Sequence, residues 1–306
     1  MTSASSLEEL NIPSSWVTIG IFDGVHLGHQ RILKTLVAGA HNAGLPALVV
    51  TFDPHPAQVL AGIQLPRLLT SLEKENILRL LGVDLVICLT FTREMAALSA
   101  STFLRQLKQA TGFTHLFTGY DFALGKNRAG NNIELSKIAS EMGFTHQVFP
   151  AFEMDGKIIS STLLRDLVAA GEVEFAAKAL GRPYQVSGIV VRGDGRGRTI
   201  SIPTANVSFP AGKVLPKVGV YASVVTVRGQ RFAAVTNFGM RPTFVEQALA
   251  PRLEPHILDF DMDIYDEQVD VEFIRFLRPE MRFNGPDALV EQIKRDIATT
   301  RAMCLV

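Results

Sequence analysis

Two histidines three positions apart, His26 and His29, lie in the glycine-containing segment GIFDGVHLGH, residues 20–29. The apolar residues 16–19 before it predict a short buried strand, and the residues after it have the apolar spacing of a helix. A helix N-terminus offers free backbone N–H groups and a partial positive charge, which suit a phosphate. Because both imidazoles can donate to the same phosphate, the segment predicts a phosphate or nucleotide site.

The same segment has ordinary explanations, which the residues alone leave open. Gly24 and Gly28 let the backbone approach a phosphate closely, but a glycine turn between a strand and a helix is also common architecture. The His-x-x-His spacing could be half of a metal site, although no cysteine or carboxylate accompanies it at a useful spacing. A lone histidine is more often a surface or core residue.

Two later segments of the first half carry polar groups that could complete this site. Residues 160–165 place hydroxyls and Arg165 at a predicted helix start, where they could hold phosphate oxygens or form an ordinary N-cap. Asp121 lies in a glycine-containing loop with basic residues, FTGYDFALGKNRAG, which could equally be a solvated surface loop.

A second candidate site lies in GDGRGRTISIPTAN, residues 193–206. Its glycines permit a backbone anion site and its arginines add positive charge, but a cluster of turns is the ordinary alternative. Thr204 and Asn206 supply oxygen ligands suited to a hard cation. The segment has no Gly-Lys-Ser/Thr and therefore is no Walker loop.

The length of the chain fits two domains. It has 306 residues, 47% of them hydrophobic, and 30 basic side chains balance 30 acidic ones, so no net field favours nucleic acid or a membrane surface. No apolar run is long enough to span a membrane, the N-terminus lacks a secretory pattern, and two cysteines indicate a reducing compartment. We expect a cytoplasmic protein, whose oligomeric state the sequence does not determine.

Strand-like and helix-like segments alternate up to about residue 183. Continuous apolar strands are typical of a parallel sheet covered by helices, and ligands bind at the carboxyl ends of such strands. The polar residues at three of these ends are therefore expected to meet on one rim. The predicted strands span 16–19, 46–52, 84–91, 115–120 and 146–150. The first predicted helix begins after His29, and the others span 72–81, 101–110 and 133–142.

The pattern changes after residue 183. Five β-branched or alternating segments predict an antiparallel sheet or barrel, and an amphipathic helix over 287–303 closes the chain. The predicted domains are 1–182 and 183–306. The predicted strands span 184–191, 219–227, 231–238, 253–259 and 269–276.

Several ordered motifs resemble those of one enzyme family. HLGH resembles the His-x-Gly-His motif of nucleotidyltransferases, and FDGVHLGHQ followed by TFDPHP is similar to bacterial bifunctional riboflavin kinase/FAD synthetases. Ser-Ser-Thr-x-x-Arg at 160–165, PTAN at 203–206, NFGxRPT at 237–243 and LExHILDF at 253–260 follow in the order of that family. The resemblance covers residues 15–303. It implies an α/β Rossmann-like nucleotidyltransferase domain, then a six-stranded antiparallel riboflavin kinase-like barrel with a C-terminal helix.

The resemblance implies that the first half transfers an adenylyl group from ATP to FMN, giving FAD and pyrophosphate. His26, His29 and Arg165 then stabilise the transferred and leaving phosphates. The implied nucleotide- and flavin-binding residues are Gly20, Phe22, Asp23, Gly24, Gly28, Asp121, Ser160, Ser161 and Thr162.

The resemblance also implies that the second half phosphorylates riboflavin to FMN with ATP. Glu254 matches the general base on the flavin hydroxyl, and Thr204 and Asn206 match the residues that hold Mg²⁺ and the nucleotide phosphates. Gly193, Gly195 and Arg198 belong to the implied nucleotide loop. Ser201-Ile202 before PTAN and Pro255 after Glu254 depart from the family pattern. A proline in a strand is expected to remove a ladder hydrogen bond, which an edge strand would tolerate.

Two other functions remain possible at this point. One is a single-activity FAD synthetase with a degenerate kinase half. The other is a flavin- or nucleotide-binding regulatory protein without turnover. The presence of the polar residues that each reaction needs favours the bifunctional enzyme.

Overall fold

A computed structural model describes residues 2–193, 202–242 and 249–304 of the protein. The chain divides into two compact units, Met1–Ser161 and Thr162–Val306. The functional boundary expected at 182/183 stays a prediction, because the helices between Ser161 and that position belong to the second compact unit.

The first unit is built on a six-stranded sheet in which every neighbouring pair is parallel, with the order β1-β4-β3-β2-β5-β8. Its central strands are buried along most of their length, as their continuous apolar sequences predict. The strands of this unit are β1 Thr2–Ala4, β2 Ser15–Ile19, β3 Ala47–Asp53, β4 Leu85–Thr90, β5 Phe113–Gly119, β6 Ala123–Leu124, β7 Gly130–Asn131, β8 Thr145–Phe149, β9 Glu153–Met154 and β10 Lys157–Ile158.

Helices connect these strands, and their ends follow the expected capping chemistry. The Ser99 side chain accepts the backbone N–H of Thr102 at the start of α5, and Gly112 ends α5 in the left-handed conformation at φ 55°. From the sequence, either Ser99 or Ser101 could be this N-cap and Gly112 was expected to end the helix; the structure selects Ser99 and confirms Gly112. The helices of this unit are α1 Leu27–Asn42, α2 Pro56–Ala61, α3 Ser71–Leu80, α4 Arg93–Ala97, α5 Ala100–Thr111 and α6 Asn132–Met142, with a short 3-10 turn at Lys126–Arg128.

The order of the strands creates a crevice at one edge of the sheet. From β2 the chain continues to β3 and β4 on one side, whereas β5 and β8 lie on the other side. Ligands of open α/β sheets bind outside the carboxyl ends of the strands at such a switch point. The loop after β2, which contains His26, begins at this point.

The second unit contains a closed six-stranded barrel in which every neighbouring pair is antiparallel, with the order β11-β12-β15-β14-β13-β16. The predicted fold class is confirmed for both halves. The described elements are α7 Ser161–Ala170, α8 Val173–Leu180, β11 Tyr184–Val191, β12 Asn206–Ser208, β13 Gly219–Val227, β14 Gln230–Pro242, β15 Leu249–Ile257, β16 Gln268–Arg278 and α9 Pro286–Met303.

Helix α9 is fixed to the barrel by a shielded ion pair. Arg278 at the end of β16 donates to both carboxylate oxygens of Asp296 in α9, with Nη2 to Oδ2 at 2.9 Å, and the Asp296 side chain is only 5% exposed. A buried carboxylate needs such a partner, since loss of one member leaves an uncompensated charge.

Pro255 does not lie on an edge strand, because β15 lies between β12 and β14 in the closed barrel. The Pro255 carbonyl accepts the N–H of Ala205, which lies in the segment before β12. The proline nitrogen points to the same side as its carbonyl. It therefore faces an irregular segment and removes no hydrogen bond from the β14 ladder.

Candidate functional site

The loop between β2 and α1 contains three residues in the left-handed region. They are Phe22 at φ 52°, Gly24 at 79° and Val25 at 42°. This conformation is unusual for a bulky residue and rarer still for a β-branched one, so the surrounding structure must stabilise it. Phe22 and Val25 are buried in the hydrophobic cluster that includes α1 and α3. The strained conformation points to a functional loop.

His26 and His29 lie together at the start of α1. His26 is the N-cap, its Nδ1 accepts the His29 backbone N–H at 3.4 Å, and the two rings stack with centroids 3.7 Å apart. Because Nδ1 of His26 accepts this N–H, the proton of a neutral His26 ring lies on Nε2. The edge of the Phe22 ring contacts His29 at a centroid distance of 5.1 Å.

Gly28 permits this pairing by lacking a side chain. A Cβ at this position would lie 3.1 Å from the His26 ring and 3.1 Å from Cβ of Phe152. At Gly20, a Cβ would lie 3.0 Å from the Phe22 ring. Both predicted glycines are thus needed for close side-chain packing in the loop, in addition to any approach to a phosphate.

The charge around His29 favours its neutral form. Burial, the neighbouring His26 and the ammonium group of Lys74 hold the pKa of His29 well below its usual value. Its Nδ1 is buried, with no hydrogen-bond partner in the described part of the chain. A buried polar atom of this kind is expected to bind water or a ligand.

Asp23 organises the loop around it through both its side chain and its backbone. Oδ1 accepts the backbone N–H groups of Leu68, at 2.9 Å, and Leu69, at 3.3 Å, while the Asp23 carbonyl accepts the Ser161 hydroxyl at 2.8 Å. The structure therefore brings the predicted residues Asp23 and Ser161 together. Asp23 also connects this loop to the segment before α3.

The other predicted residues of the first site are more dispersed. Asp121 is exposed in the loop after β5, where Arg128 donates to its carbonyl at 3.0 Å. Ser160 directly precedes α7, and Thr162 and Arg165 lie in the first turns of that helix, in the second compact unit. Nη2 of Arg165 is 3.3 Å from Oγ1 of Thr162, so these two predicted residues are in contact.

In the barrel, Glu254 faces a cavity of about 650 Å³. Glu254 lies on β15 opposite Asn237 of β14, and Arg252 is 3.5 Å from its Oε1. Thr204 lines the same cavity, so the structure brings the predicted base and the predicted metal ligand to one site. The lining is completed by Ile202, Val220, Val235, Asn237, His256, Arg278, Glu280, Met281, Arg282, Phe283, Leu289, Ile293 and Asp296.

Thr204 also lines a second cavity of about 450 Å³, together with Ala205, Phe260 and Tyr265. Thr204 is thus shared by two adjoining cavities, one of which contains Glu254. An enzyme that transfers a group between two substrates needs this kind of junction, because the reacting atoms must meet within about 3–3.5 Å.

Asn206 packs against Gly193, and this contact requires glycine. A Cβ on Gly193 would lie 2.2 Å from Nδ2 and 2.7 Å from Oδ1 of Asn206. The Asn206 amide therefore occupies the space that a side chain at 193 would fill. The predicted residues Gly195 and Arg198 lie outside the described residues.

Residues 2–193, 202–242 and 249–304 contain neither a cluster of metal-binding side chains nor a helix that could cross a membrane. No group of three or more His, Cys, Asp or Glu side chains is arranged to hold a metal ion. No helix combines the length and the apolar character that crossing a membrane requires.

Comparison with known proteins identifies both halves of the chain. The family model described as FAD synthetase matches residues 9–163, and the model described as riboflavin kinase matches residues 180–304. A bifunctional riboflavin kinase/FMN adenylyltransferase of Listeria monocytogenes is 38% identical, covering 94% of this chain and 91% of that protein. The protein of the same name from Escherichia coli K12 is 39% identical, covering 93% and 91%.

The chain belongs to the family of bifunctional riboflavin kinases/FMN adenylyltransferases.

A solved structure is similar over the whole length of this family member. It is a crystal structure from Streptococcus pneumoniae titled as a macrolide-efflux protein, with a TM-score of 0.91, 31% identity and 98% coverage of both chains. That name differs from the name shared by the Listeria monocytogenes and Escherichia coli relatives, bifunctional riboflavin kinase/FMN adenylyltransferase. The family models, which match each half separately, decide the assignment.

Sequence reasoning missed two charged residues at these sites. Lys74 reaches the carboxyl ends of β2 and β3, and Glu280 accepts from Asn237 Nδ2 at 3.3 Å in the Glu254 cavity. The position of Lys74 on the polar face of α3 indicated that it lies outside the core, but it did not show where the side chain points. Nothing in the sequence marked Glu280. A Cβ on Gly239 would lie 2.6 Å from its Oε1, but only the folded structure brings these two residues together.

Proposed function

We propose that this chain makes FAD from riboflavin in two steps, each at its own site. The barrel phosphorylates riboflavin to FMN with ATP, and the α/β unit transfers an adenylyl group from a second ATP to FMN. Both matched family models and relatives at 37–39% identity over more than nine tenths of the chain support this assignment. A cytoplasmic location and the absence of nucleic-acid partners stay predictions.

The observation that carries the kinase half is the shared cavity of Glu254 and Thr204. Glu254 takes the proton from the terminal hydroxyl of riboflavin, whose oxygen attacks the γ-phosphorus of ATP and displaces ADP. A base positioned on the attacking hydroxyl contributes typically ~10²–10⁴-fold. Gly193, Gly195 and Arg198 are proposed to hold the nucleotide phosphates.

The donors at the barrel fit a Mg²⁺ ion bound mainly through substrate. Thr204 offers a hydroxyl and Asn206 an amide oxygen placed against Gly193, and such a small oxygen set suits an ion that keeps its waters and phosphate ligands. When bound there, Mg²⁺ neutralises charge on the transferred phosphate. Thr204 and Asn206 would orient that phosphate towards the Glu254 side of the cavity.

The observation that carries the adenylyl-transfer half is the His26–His29 pair at the start of α1. A phosphate oxygen of FMN attacks the α-phosphorus of ATP, and pyrophosphate leaves. Because both reactants are anions, stabilising charge is the main task, and no side-chain nucleophile is needed. His26, His29 and Arg165 are proposed to do this.

The remaining predicted residues of this site are proposed to bind the nucleotide and flavin. The backbone of the Phe22 loop and the first turn of α7 supply N–H groups and hydroxyls for phosphate oxygens. This set comprises Gly20, Phe22, Asp23, Gly24, Gly28, Asp121, Ser160, Ser161 and Thr162.

One assay tests the whole proposal. The purified chain is incubated with riboflavin, ATP and Mg²⁺, and the flavins are separated by chromatography. We expect FMN and then FAD, and no product after chelation of the metal. FAD only from added FMN would select the single-activity enzyme, and tight flavin binding without either product would select the regulatory protein.

Two substitutions separate the sites. Glu254→Gln should abolish FMN formation but spare FAD formation from added FMN, and His29→Ala should do the reverse. Glu291→Gln on the exposed face of α9 and His41→Ala at the far end of α1 are matched controls that should leave both activities unchanged. Equal loss of both activities in either test variant would refute the two-site assignment.

A further inference from the structure

Lys74 in helix α3 contacts two strand ends at the edge of the sheet. Its Nζ donates to the carbonyl of Ile21, just beyond β2, at 3.2 Å and to Oγ1 of Thr51 in β3 at 3.0 Å. The Thr51 hydroxyl donates to the same Ile21 carbonyl at 3.2 Å. Three hydrogen bonds thus form a closed triangle that joins β2, β3 and α3.

This triangle lies directly before the strained part of the loop. Ile21 precedes Phe22, whose backbone is left-handed at φ 52° and whose ring contacts His29. A non-glycine residue in this region costs of order 1–3 kcal/mol and persists only where its neighbours hold it. The carbonyl of Ile21 is the last fixed backbone group before the left-handed residue. The triangle therefore holds the carbonyl that directly precedes Phe22, and the Phe22 ring contacts His29.

The ammonium group also belongs to the charge environment of His29. Burial lowers the pKa of Lys74, whereas nearby acidic groups raise it, and Lys74 and His26 both lower the pKa of His29. Asp53 cannot fully neutralise Lys74, because its carboxylate already accepts from Arg67 and from Ser71. The charged or titratable groups facing Lys74 are Cys88 on β4, Asp23 in the loop, Asp53 at the end of β3 and Arg67 before α3.

We propose that Lys74 is a positioning residue of the adenylyl-transfer site, which ties the Phe22 loop to strands β2 and β3 and places a positive charge near His29. The inference rests on the proposed function, because the site that it positions is the one assigned to adenylyl transfer. Lys74 acts through the loop and through His29 and is not itself assigned a contact with substrate.

Three variants test the proposal. Lys74→Met removes both the hydrogen bonds and the charge, Lys74→Arg keeps the charge, and Lys34→Met removes a charge from the exposed face of α1 as a control. The readouts are the ring titration of His29 by NMR, kcat and KM for FAD formation from added FMN, and the rate of riboflavin phosphorylation.

For Lys74→Met we expect the His29 titration midpoint to rise, because a neighbouring positive charge has been removed. We also expect kcat for FAD formation to fall about tenfold or more, since small displacements of positioned groups are costly, with an unchanged kinase rate. Lys74→Arg should retain the low midpoint, and Lys34→Met should change nothing.

An unchanged His29 midpoint or an unchanged kcat in Lys74→Met overturns the proposal, as does an equal fall in both activities. The titration of His146 on β8 reports whether the first unit is folded; if Lys74→Met is unfolded, Lys74→Gln is judged by the same criteria. The His29 titration needs no turnover. A chain that makes no FAD would therefore refute the proposed function while the midpoint still tests the charge of Lys74.

Discussion

Replacing Gly28 by alanine should slow adenylyl transfer without unfolding the protein. The new Cβ would lie 3.1 Å from Cε1 and Nδ1 of His26 and 3.1 Å from Cβ of Phe152. Carbon atoms pack at about 3.5–4.0 Å, so the His26 ring must move by at least roughly 0.4 Å. Since a 1 Å misplacement can cost about 10²-fold, a displacement of this size should cost about tenfold, or about 1.4 kcal/mol in the barrier.

The effect on stability should be small, because two terms oppose each other. Alanine gains about 0.5–1 kcal/mol over glycine inside a helix, and the tight contacts offset this gain. The assay compares FAD formation from added FMN with riboflavin phosphorylation in the same sample. A tenfold loss of the first rate is expected, with the second rate and the midpoint of thermal unfolding nearly unchanged.

The same substitution at Gly39, in the same helix, provides the contrast. There a Cβ would lie 2.0 Å from the Trp16 ring, so Gly39→Ala should lower the unfolding midpoint instead of acting on the reaction. An unchanged FAD-forming rate in Gly28→Ala would refute the idea that the His26 ring position matters. A loss of rate explained by a lowered unfolding midpoint would also refute it.

Three further outcomes follow from the described contacts. Gly193→Ala would place a Cβ 2.2 Å from the Asn206 amide, so riboflavin phosphorylation and its response to Mg²⁺ should weaken while FAD formation from added FMN persists, as flavin chromatography would detect. Gly112→Ala would put a Cβ 2.2 Å from the Pro13 carbonyl at φ 55°, so urea unfolding should show a loss of about 1–3 kcal/mol; a smaller change would contradict the strain argument. Burial lowers the pKa of His146, so the unfolded state takes up a proton before the folded state does as the pH falls. The contribution of His146 to stability is therefore present above about pH 6.5 and is lost below it. The urea midpoint should fall less steeply below about pH 6.5 in His146→Gln than in the unchanged protein.

The sequence predicted the parallel sheet well because buried strands leave a strong pattern. The run 46–52 predicted β3, which is observed at Ala47–Asp53, and Ser99 and Gly112 marked both ends of α5. Strand β1, Thr2–Ala4, was missed because three small or polar residues carry no periodicity. It exists because it pairs with the open side of β4, and this tertiary interaction is invisible in local sequence.

The second half shows a similar limit. Five of the six barrel strands were predicted as segments, whereas β12, Asn206–Ser208, was too short to be recognised and was implied only by the resemblance. Pro255 was expected to remove a ladder hydrogen bond because the rule for proline in sheets was applied to the strand as a whole. Each strand has two sides, and the nitrogen of Pro255 faces the irregular segment that contains Ala205.

Adenylyl transfer between two anions requires positive or donor groups at the phosphate, and the sequence suggested that both histidines supply them. The structure shows why the two rings differ. His26 is held by its role as N-cap, in which its Nδ1 accepts the backbone N–H of His29. His29 is kept neutral by burial, by His26 and by Lys74. Two imidazoles stacked at 3.7 Å cannot both be charged at little cost, so the pair itself disfavours a second positive charge. Motif spacing identified the residue pair, but the low pKa of His29 has causes that only the folded structure shows: burial first, then His26 and then Lys74, which lies 45 positions along the chain.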